Sequence, residues 1–181
     1  MGLTFLGDGS KVVNNLIDQG GTALYIANSA VDVYQNTIVG TADGNGINVE
    51  GLNDKAVNIK NNIIAGFDTG IITDGAGLAN LSIQNNLIQA VTAEGDATIA
   101  PLLDATNILG LSPEFVSASD IAGVGDYHLN GNSPALGRGA DLSVSDDLDG
   151  GARPLPAGSA PDLGAYEHTD VPVELSNFMI D

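Results

Sequence analysis

The densest group of potential metal ligands in the chain is the run Asp146-Asp147-Leu148-Asp149-Gly150. Calcium prefers carboxylate oxygens, and alternating acids before a glycine are typical of calcium loops. The run is not an EF-hand, because the twelve-residue spacing and the terminal glutamate of that motif are missing. Asp146, Asp147 and Asp149 are therefore candidate calcium ligands, and calcium is the one cofactor that the sequence suggests.

Paired carboxylates are the next chemistry to consider, since a glycosidase needs two acids at a fixed separation. Glu50 and Asp74 follow equivalent apolar runs and are expected on adjacent repeats. They could act as acid and base, bind calcium, or only occupy loops near a turn. The last interpretation is favoured, because no Asp-Asp or Gly-His-Gly motif accompanies them in the repeats.

A polysaccharide lyase instead needs a base, together with cations or calcium that neutralise a uronic carboxylate. Basic residues are scarce, and they are Lys11, Lys55, Lys60, Arg138, Arg153, His128 and His168. Both histidines lie outside the repeated part of the chain, where a structural role is expected. No residue is predicted to be catalytic.

Lys60 is the basic residue best placed to contact a ligand. It alternates with Ile59, which is expected to point inward, so Lys60 should point outward. The spacing of the repeats places it between Tyr34 and Gln84 on neighbouring coils. A Tyr34-Lys60-Gln84 stripe could bind sugar; the alternative is a lysine that only aids solubility.

The composition limits the class of protein. The chain has 181 residues and a formal net charge of −18, which disfavours nucleic acid and anionic membranes as partners. Hydrophobic residues make up 43% but aromatic residues only 4%, so the core must be aliphatic. The absence of cysteine excludes disulfides and thiolate metal sites. No apolar run approaches the ~20 residues of a membrane span, and no secretory signal is recognisable, so the chain is either cytoplasmic or part of a longer precursor.

A repeat positions the candidate residues of the first half. Four segments share the pattern apolar-x-x-Asn-x-Ile, and their asparagines are Asn15, Asn36, Asn62 and Asn86. Short alternating runs such as Val31-Asp32-Val33 predict strands, and no window has a sustained helical period. Units of this length are typical of leucine-rich repeats or β-solenoids. The regular leucines of the former are absent, and an antiparallel sandwich would not repeat its asparagines, so the sequence predicts a solenoid.

The recurring asparagines are predicted to be structural. Equivalent residues of successive coils lie about 4.8 Å apart in a solenoid, so Asn15, Asn36, Asn62 and Asn86 can form a hydrogen-bonded ladder at one corner. Asparagine also tolerates the left-handed backbone conformation that a tight corner requires.

The repeats VYQNTIVG, IKNNIIAG and IQNNLIQA resemble those of pectate-lyase-like right-handed parallel β-helix proteins. The ordered motifs GDYHLNGNSPALGRGAD, DLDGGARP and PDLGAYE resemble a closing segment that follows such coils in secreted bacterial proteins. The resemblance implies an all-β, right-handed parallel β-helix of about four coils. It also implies an extracellular or cell-surface location.

Three regions are expected. Residues 1–90 would form the coils, 91–170 a loop-rich closing segment packed on the last coil, and 171–181 a terminal strand or a linker. The tail resembles the linker that precedes a C-terminal sorting domain in secreted Bacteroidetes proteins. The chain enters coil structure at Leu3 without a polar cap, so further coils of the same precursor, or another element, are expected to cover that edge.

One buried ion pair is expected in the closing segment. Arg153 lies among acids and should pair with Asp162 or Glu167 in a bidentate contact. A structural role for this arginine is favoured over a catalytic one.

Two functions fit these observations. The first is a non-catalytic fragment of a secreted or cell-surface bacterial protein that is structural or glycan-associated, with polysaccharide as a partner. The alternative is the C-terminal part of a polysaccharide lyase or hydrolase whose active coils lie upstream. A cytoplasmic structural protein is a third, less favoured interpretation.

Overall fold

The computed structural model describes residues 3–5, 7–75, 77–121 and 123–169. Strands dominate these residues, together with two one-turn 3-10 helices, Leu78–Asn80 and Ala100–Leu102. The strands are, in chain order, β1 Leu3–Phe5, β2 Ser10–Val13, β3 Leu16–Asp18, β4 Leu24–Ala27, β5 Val31–Tyr34, β6 Thr37–Val39, β7 Asn45–Glu50, β8 Val57–Lys60, β9 Ile63–Ala65, β10 Thr69–Thr73, β11 Leu81–Gln84, β12 Leu87–Gln89, β13 Ala93–Gly95, β14 Ile108–Leu109, β15 Phe115–Ser117 and β16 Asp126–Leu129.

The first fourteen strands form three parallel sheets. Sheet A has the order β1-β4-β7-β10-β13, sheet B β11-β8-β5-β2, and sheet C β14-β12-β9-β6-β3. Each coil thus contributes one strand to each sheet, with four complete coils and a partial fifth in the described residues. The predicted all-β parallel solenoid is confirmed. Strands β13 and β14 extend the coil sheets beyond residue 90, as far as Leu109.

The core is a stack of aliphatic side chains in register. Val12, Val33, Ile59 and Ile83 pair in sequence across sheet B, and all four are buried. Their alternate neighbours point outward, which gives β5 and β8 the same alternation of buried and half-buried residues. β-branched side chains suit this surface because they pack well against the same residue type on the next strand.

Sheet C departs from this alternation, since both of its faces are buried. All residues of β6 and β9 are buried, with Ile38 and Ile64 facing the core. The outward residues Val39 and Ile63 belong to a second apolar cluster, which contains Tyr127 and Leu163 from the C-terminal part of the chain. That part therefore packs along the side of the solenoid. We call the described residues after β14, 110–121 and 123–169, the C-terminal layer.

The lateral packing corrects the expected position of the closing segment. Backbone N–H groups of Gly164 and Ala165 donate to the Asn61 carbonyl and to the Thr37 hydroxyl, at 2.8 and 2.9 Å. The Tyr127 hydroxyl reaches Asp18 of the first coil at 3.1 Å. Contacts with several coils arise because sheet C presents an apolar outer face that only a layer along its whole length can cover.

The end of the last coil is covered by a shorter element. Ile99 is fully buried and packs in the main core, just before the second 3-10 helix. The Asp96 carboxylate accepts the N–H groups of Thr73, Thr98 and Ile99 at 2.7 to 2.9 Å. Residues 96–103 thus close the hydrophobic core at this end.

Among the described residues, no helix has the length and hydrophobicity needed to cross a membrane. The predicted terminal strand or linker, 171–181, lies outside the described residues.

Candidate functional site

The asparagine ladder lies at the corner between sheets B and C. The Oδ1 of Asn36 accepts both the main-chain N–H and the Nδ2 of Asn15, and the same pair of bonds repeats upward through Asn62 and Asn86. Asn107 adds a fifth rung that the sequence analysis missed. All these bonds measure 2.9 to 3.1 Å. The spacing from Asn86 to Asn107 equals that from Asn15 to Asn36, so the signal was present in the sequence.

The left-handed residue of each corner is the one before the ladder asparagine, not the ladder asparagine itself. These residues are Asn14, Gln35, Asn61 and Asn85, with φ between 54° and 62°. Asparagine and glutamine side chains at these positions leave the coil and face the C-terminal layer.

Three of the four corner side chains bind that layer. Asn14 donates to the Asp146 carbonyl at 3.1 Å and Asn85 to the Arg138 carbonyl at 3.3 Å. Asn61 both donates to and accepts from the main chain of Ala140, at 2.7 and 2.9 Å. We call this line of contacts, residues 14, 35, 61 and 85 with 138–146, the corner seam.

The Tyr34, Lys60 and Gln84 side chains lie in one outward row of sheet B, in consecutive register. All three are half-buried, and Val13 extends the row by one coil. The Tyr34 hydroxyl donates to Asp32 at 3.0 Å. Burial, together with this bond to a carboxylate, raises the pKa of Tyr34 to about 12, so the phenol stays protonated.

A groove runs beside this row. Its floor contains Lys11 and Tyr34, its wall is the stretch from Leu142 to Asp146, and its volume is about 500 Å³. Among the described residues, neither Lys11 nor Lys60 forms an ion pair, whereas Lys55 pairs with Asp8. The row and groove can therefore offer hydrogen-bond donors, an amide and an aromatic ring to an extended ligand.

Glu50 and Asp74 do not form a free acid and base pair. Glu50 accepts hydrogen bonds from the Tyr25 hydroxyl at 2.7 Å and from the Asn48 amide at 2.9 Å. Asp74 accepts the backbone N–H of Gly51 with both carboxylate oxygens. Both carboxylates thus connect neighbouring parts of the coil surface.

The three candidate calcium ligands point to different partners. Asp147 is buried; its Oδ1 accepts the N–H groups of Asp149 and Gly151, and its Oδ2 accepts that of Glu167 at 3.0 Å. Asp149 contacts His128 at 2.7 Å, and Asp146 is exposed. In the part of the chain that the structure describes, no three acids, histidines or cysteines group as metal ligands. Calcium binding therefore stays a sequence-based prediction.

Arg153 is buried in the C-terminal layer beside Glu167, with 3.5 Å between Nε and Oε2. The contact is a single ion pair rather than the expected bidentate one. Nη1 donates instead to the carbonyls of Asp162 and Gly164, at 3.2 and 3.1 Å. The two neighbouring carboxylates cannot align on the guanidinium because each already accepts two backbone N–H groups. The Asp162 carboxylate accepts those of Gly137 and His168. The Glu167 carboxylate accepts those of Leu155 and Asp162.

Burial dominates the electrostatics of this cluster. It lowers the pKa of Arg153 and raises the pKa values of Asp162 and Glu167. The cluster is thus a desolvated structural element that connects Gly137 and Leu155 with residues 162–168 of the C-terminal layer.

The two histidines also contact that layer. The His128 ring lies between Asp126 and Asp149, at 2.6 and 2.7 Å, and packs on the Tyr166 ring. Burial lowers the pKa of His128, but the hydrogen bonds to the two carboxylates outweigh it, so the pKa is raised overall. His168 bonds to the Leu129 carbonyl through Nδ1.

The fold thus defines a parallel β-solenoid with a lateral layer on one sheet. Comparison with protein-family models, with curated proteins and with solved structures found no match.

Proposed function

We propose that the chain is a non-catalytic β-helix module of a secreted or cell-surface protein, which contacts glycan along the outer face of sheet B. The row Tyr34, Lys60 and Gln84, with Lys11 in the adjacent groove, is the observation that carries this proposal.

The row suits an extended, hydroxyl-rich polymer. Strand stacking repeats its groups every ~4.8 Å along the solenoid axis, so successive units of a chain can meet similar partners. A phenol ring offers an apolar face, and the ammonium and amide groups of Lys60 and Gln84 can bond to hydroxyls. The large negative charge of the protein disfavours a polyanion, which makes a neutral or weakly charged polysaccharide the better partner.

The acids argue for a non-catalytic role. Glu50, Asp74 and Asp147 accept hydrogen bonds from the chain itself, and a general acid or base must be able to reach a substrate proton. The likeness of the repeats and closing motifs to pectate-lyase-like proteins of secreted bacterial type supports the proposed location outside the cell.

Affinity electrophoresis with soluble neutral polysaccharides, pectate and alginate tests the proposal. Tyr34→Ala and Lys60→Ala should each weaken retardation by one or more of these polymers, by up to about tenfold for the loss of one contact. Lys55→Ala is the matched control, because Lys55 is similarly exposed but lies outside the row. Each variant is compared with the wild type in thermal unfolding, so that a folding defect is recognised.

Two results would overturn the proposal. Retardation that is absent for every polymer, or equal in all variants, would exclude the row as a glycan contact. Turnover of pectate or alginate by the purified chain would instead show that it is part of a polysaccharide-degrading enzyme.

A further inference from the structure

The outer face of sheet B carries two rows of side chains. One is formed by Tyr34, Lys60 and Gln84, and we call it the Tyr34 row. The other consists of the residues two positions earlier in each strand, and we call it the Asp32 row. Its members pair in register from coil to coil, and they are Lys11, Asp32, Asn58 and Ser82. Since the corner seam directly follows the last residue of each strand, the Asp32 row lies farther from the C-terminal layer.

The Asp32 carboxylate is held in one orientation by its neighbours. Its Oδ1 accepts the Tyr34 hydroxyl at 3.0 Å and the Asn58 amide at 2.9 Å. The side chain is only half-buried. Its Oδ2 accepts no hydrogen bond from the described residues, and it is not one of their buried unpaired atoms. Asp32 thus presents one fixed acceptor at the surface of sheet B.

Two lysines flank this acceptor without neutralising it. Lys11 is the neighbour of Asp32 in the Asp32 row, and Lys60 is the neighbour of Tyr34 in the other row. Neither lysine forms an ion pair within the part of the chain that the structure describes. Adjacent strands lie about 4.8 Å apart and two residues along a strand span about 7 Å. One sugar unit on this face can therefore contact Asp32 and Lys60 together.

On the basis of the proposed function, we propose that Asp32 is the residue that selects neutral polysaccharide over uronic polymers. A sugar hydroxyl can donate to Oδ2 of Asp32 while it accepts from Nζ of Lys60. Such a bond to an ionised acceptor is roughly twice as strong as a neutral one. A uronic carboxylate in the same place has no proton to donate, and the charge of Asp32 repels it.

The flanking charges also disfavour a cationic sugar. Lys11 and Lys60 lie on the two coils that neighbour Asp32, so a positively charged group would meet two ammonium groups for one carboxylate. A neutral unit rich in hydroxyl groups can use both signs of charge, because each hydroxyl is at once a donor and an acceptor. The outer face of sheet B therefore fits that class of ligand.

Asp32→Asn tests the role of the carboxylate, because the amide has nearly the same shape. Its carbonyl oxygen should stay with the Tyr34 and Asn58 donors, so that its Nδ2 donor replaces the accepting oxygen. Affinity electrophoresis is carried out with xyloglucan, galactomannan, pectate and alginate. Retardation by the neutral polymer that binds the wild type best should fall by about three- to tenfold. Retardation by pectate or alginate should increase, because a repulsive charge is exchanged for a donor.

Asp68→Asn is the control with the same change in net charge. Asp68 is exposed between β9 and β10, away from sheet B, and asparagine keeps an acceptor for the Thr92 hydroxyl. This variant should leave the ratio of neutral to uronic binding as it is in the wild type. A folding defect in Asp32→Asn would weaken retardation by both kinds of polymer, whereas a selecting residue changes them in opposite directions. Thermal unfolding of each variant checks the fold independently.

Three results would overturn this role of Asp32. The first is a change of both polymer classes in the same direction in Asp32→Asn, or a change no larger than that in Asp68→Asn. The second is a wild type that binds pectate or alginate more tightly than either neutral polymer. Under both results the Tyr34 row can still bind glycan, as Tyr34→Ala and Lys60→Ala show separately. The third is the absence of retardation by every polymer, which would overturn the proposed function as well.

Discussion

Asn62 lies in the middle of the asparagine ladder, and its replacement by alanine gives the sharpest test of what stabilises the coils. The side chain is fully buried. Its Oδ1 accepts the N–H and the Nδ2 of Asn36, each at 2.9 Å. Its Nδ2 donates to the Val33 carbonyl at 2.8 Å and to Oδ1 of Asn86 at 2.9 Å. One side chain thus connects three successive coils.

The expected cost follows from the groups that lose partners. Alanine at position 62 leaves the Asn36 N–H without its acceptor and removes the amide donor from the Val33 carbonyl. The Nδ2 of Asn36 keeps its bond to the Val12 carbonyl, and Oδ1 of Asn86 keeps the backbone N–H of residue 62. Two buried groups at about 1–3 kcal/mol each predict a loss of about 2–6 kcal/mol in the free energy of unfolding.

Asn15→Ala is the control at the end of the ladder. Asn15 is exposed, and its backbone N–H would still donate to Asn36 after the substitution. The expected loss is below about 1 kcal/mol. Urea unfolding followed by circular dichroism gives the midpoint of each variant. The midpoints report stability when both variants have the same dependence of the unfolding free energy on urea concentration. A midpoint shift for Asn62→Ala no larger than that for Asn15→Ala would refute a ladder that stabilises the coils.

Two further substitutions test the C-terminal layer. Arg153→Met should lower the free energy of unfolding by about 3–5 kcal/mol, because Glu167 would remain buried without its cation. Arg138→Met at the exposed surface should cost less than about 0.5 kcal/mol, and equal effects in calorimetry would contradict the buried role of Arg153. His128→Gln should remove a pH-dependent contribution to the free energy of unfolding. Since the pKa of His128 is raised on folding, its stabilisation is complete below the unfolded value of about 6.5 and is lost as pH rises through the folded pKa. If the difference in the free energy of unfolding between the wild type and His128→Gln does not decrease from about pH 5.5 to pH 8, the pairing of this histidine with Asp149 is contradicted.

The position of the C-terminal layer could have been inferred in part from the strands of sheet C. Sequences such as Thr37-Ile38-Val39 and Ile63-Ile64-Ala65 are apolar on both faces, unlike Val31-Asp32-Val33 in sheet B. Apolar residues on both faces indicate a strand with packing on both sides. From the sequence, the closing segment, residues 91–170, is expected to pack on the last coil, whereas its apolar residues cover the outer face of sheet C.

The roles of individual polar residues in that layer were not predictable from spacing. Asp147 belongs to a run typical of calcium loops, yet its carboxylate accepts N–H groups from residues 149, 151 and 167. The sequence predicts a bidentate pair for Arg153, but the carboxylates of Asp162 and Glu167 accept backbone N–H groups instead. Such competition is decided by chain geometry, which local sequence does not contain.

By itself, the sequence determined the solenoid. Each coil contacts mainly the coils next to it, so the same residue types recur at the same positions, and Asn15, Asn36, Asn62 and Asn86 reveal the period directly. Only the tertiary structure decided where the lateral layer lies and which groove it leaves beside sheet B. Its bonds join residues 79 and 128 positions apart, as between Asn61 and Ala140 or Thr37 and Ala165, and contacts of that kind follow no repeat.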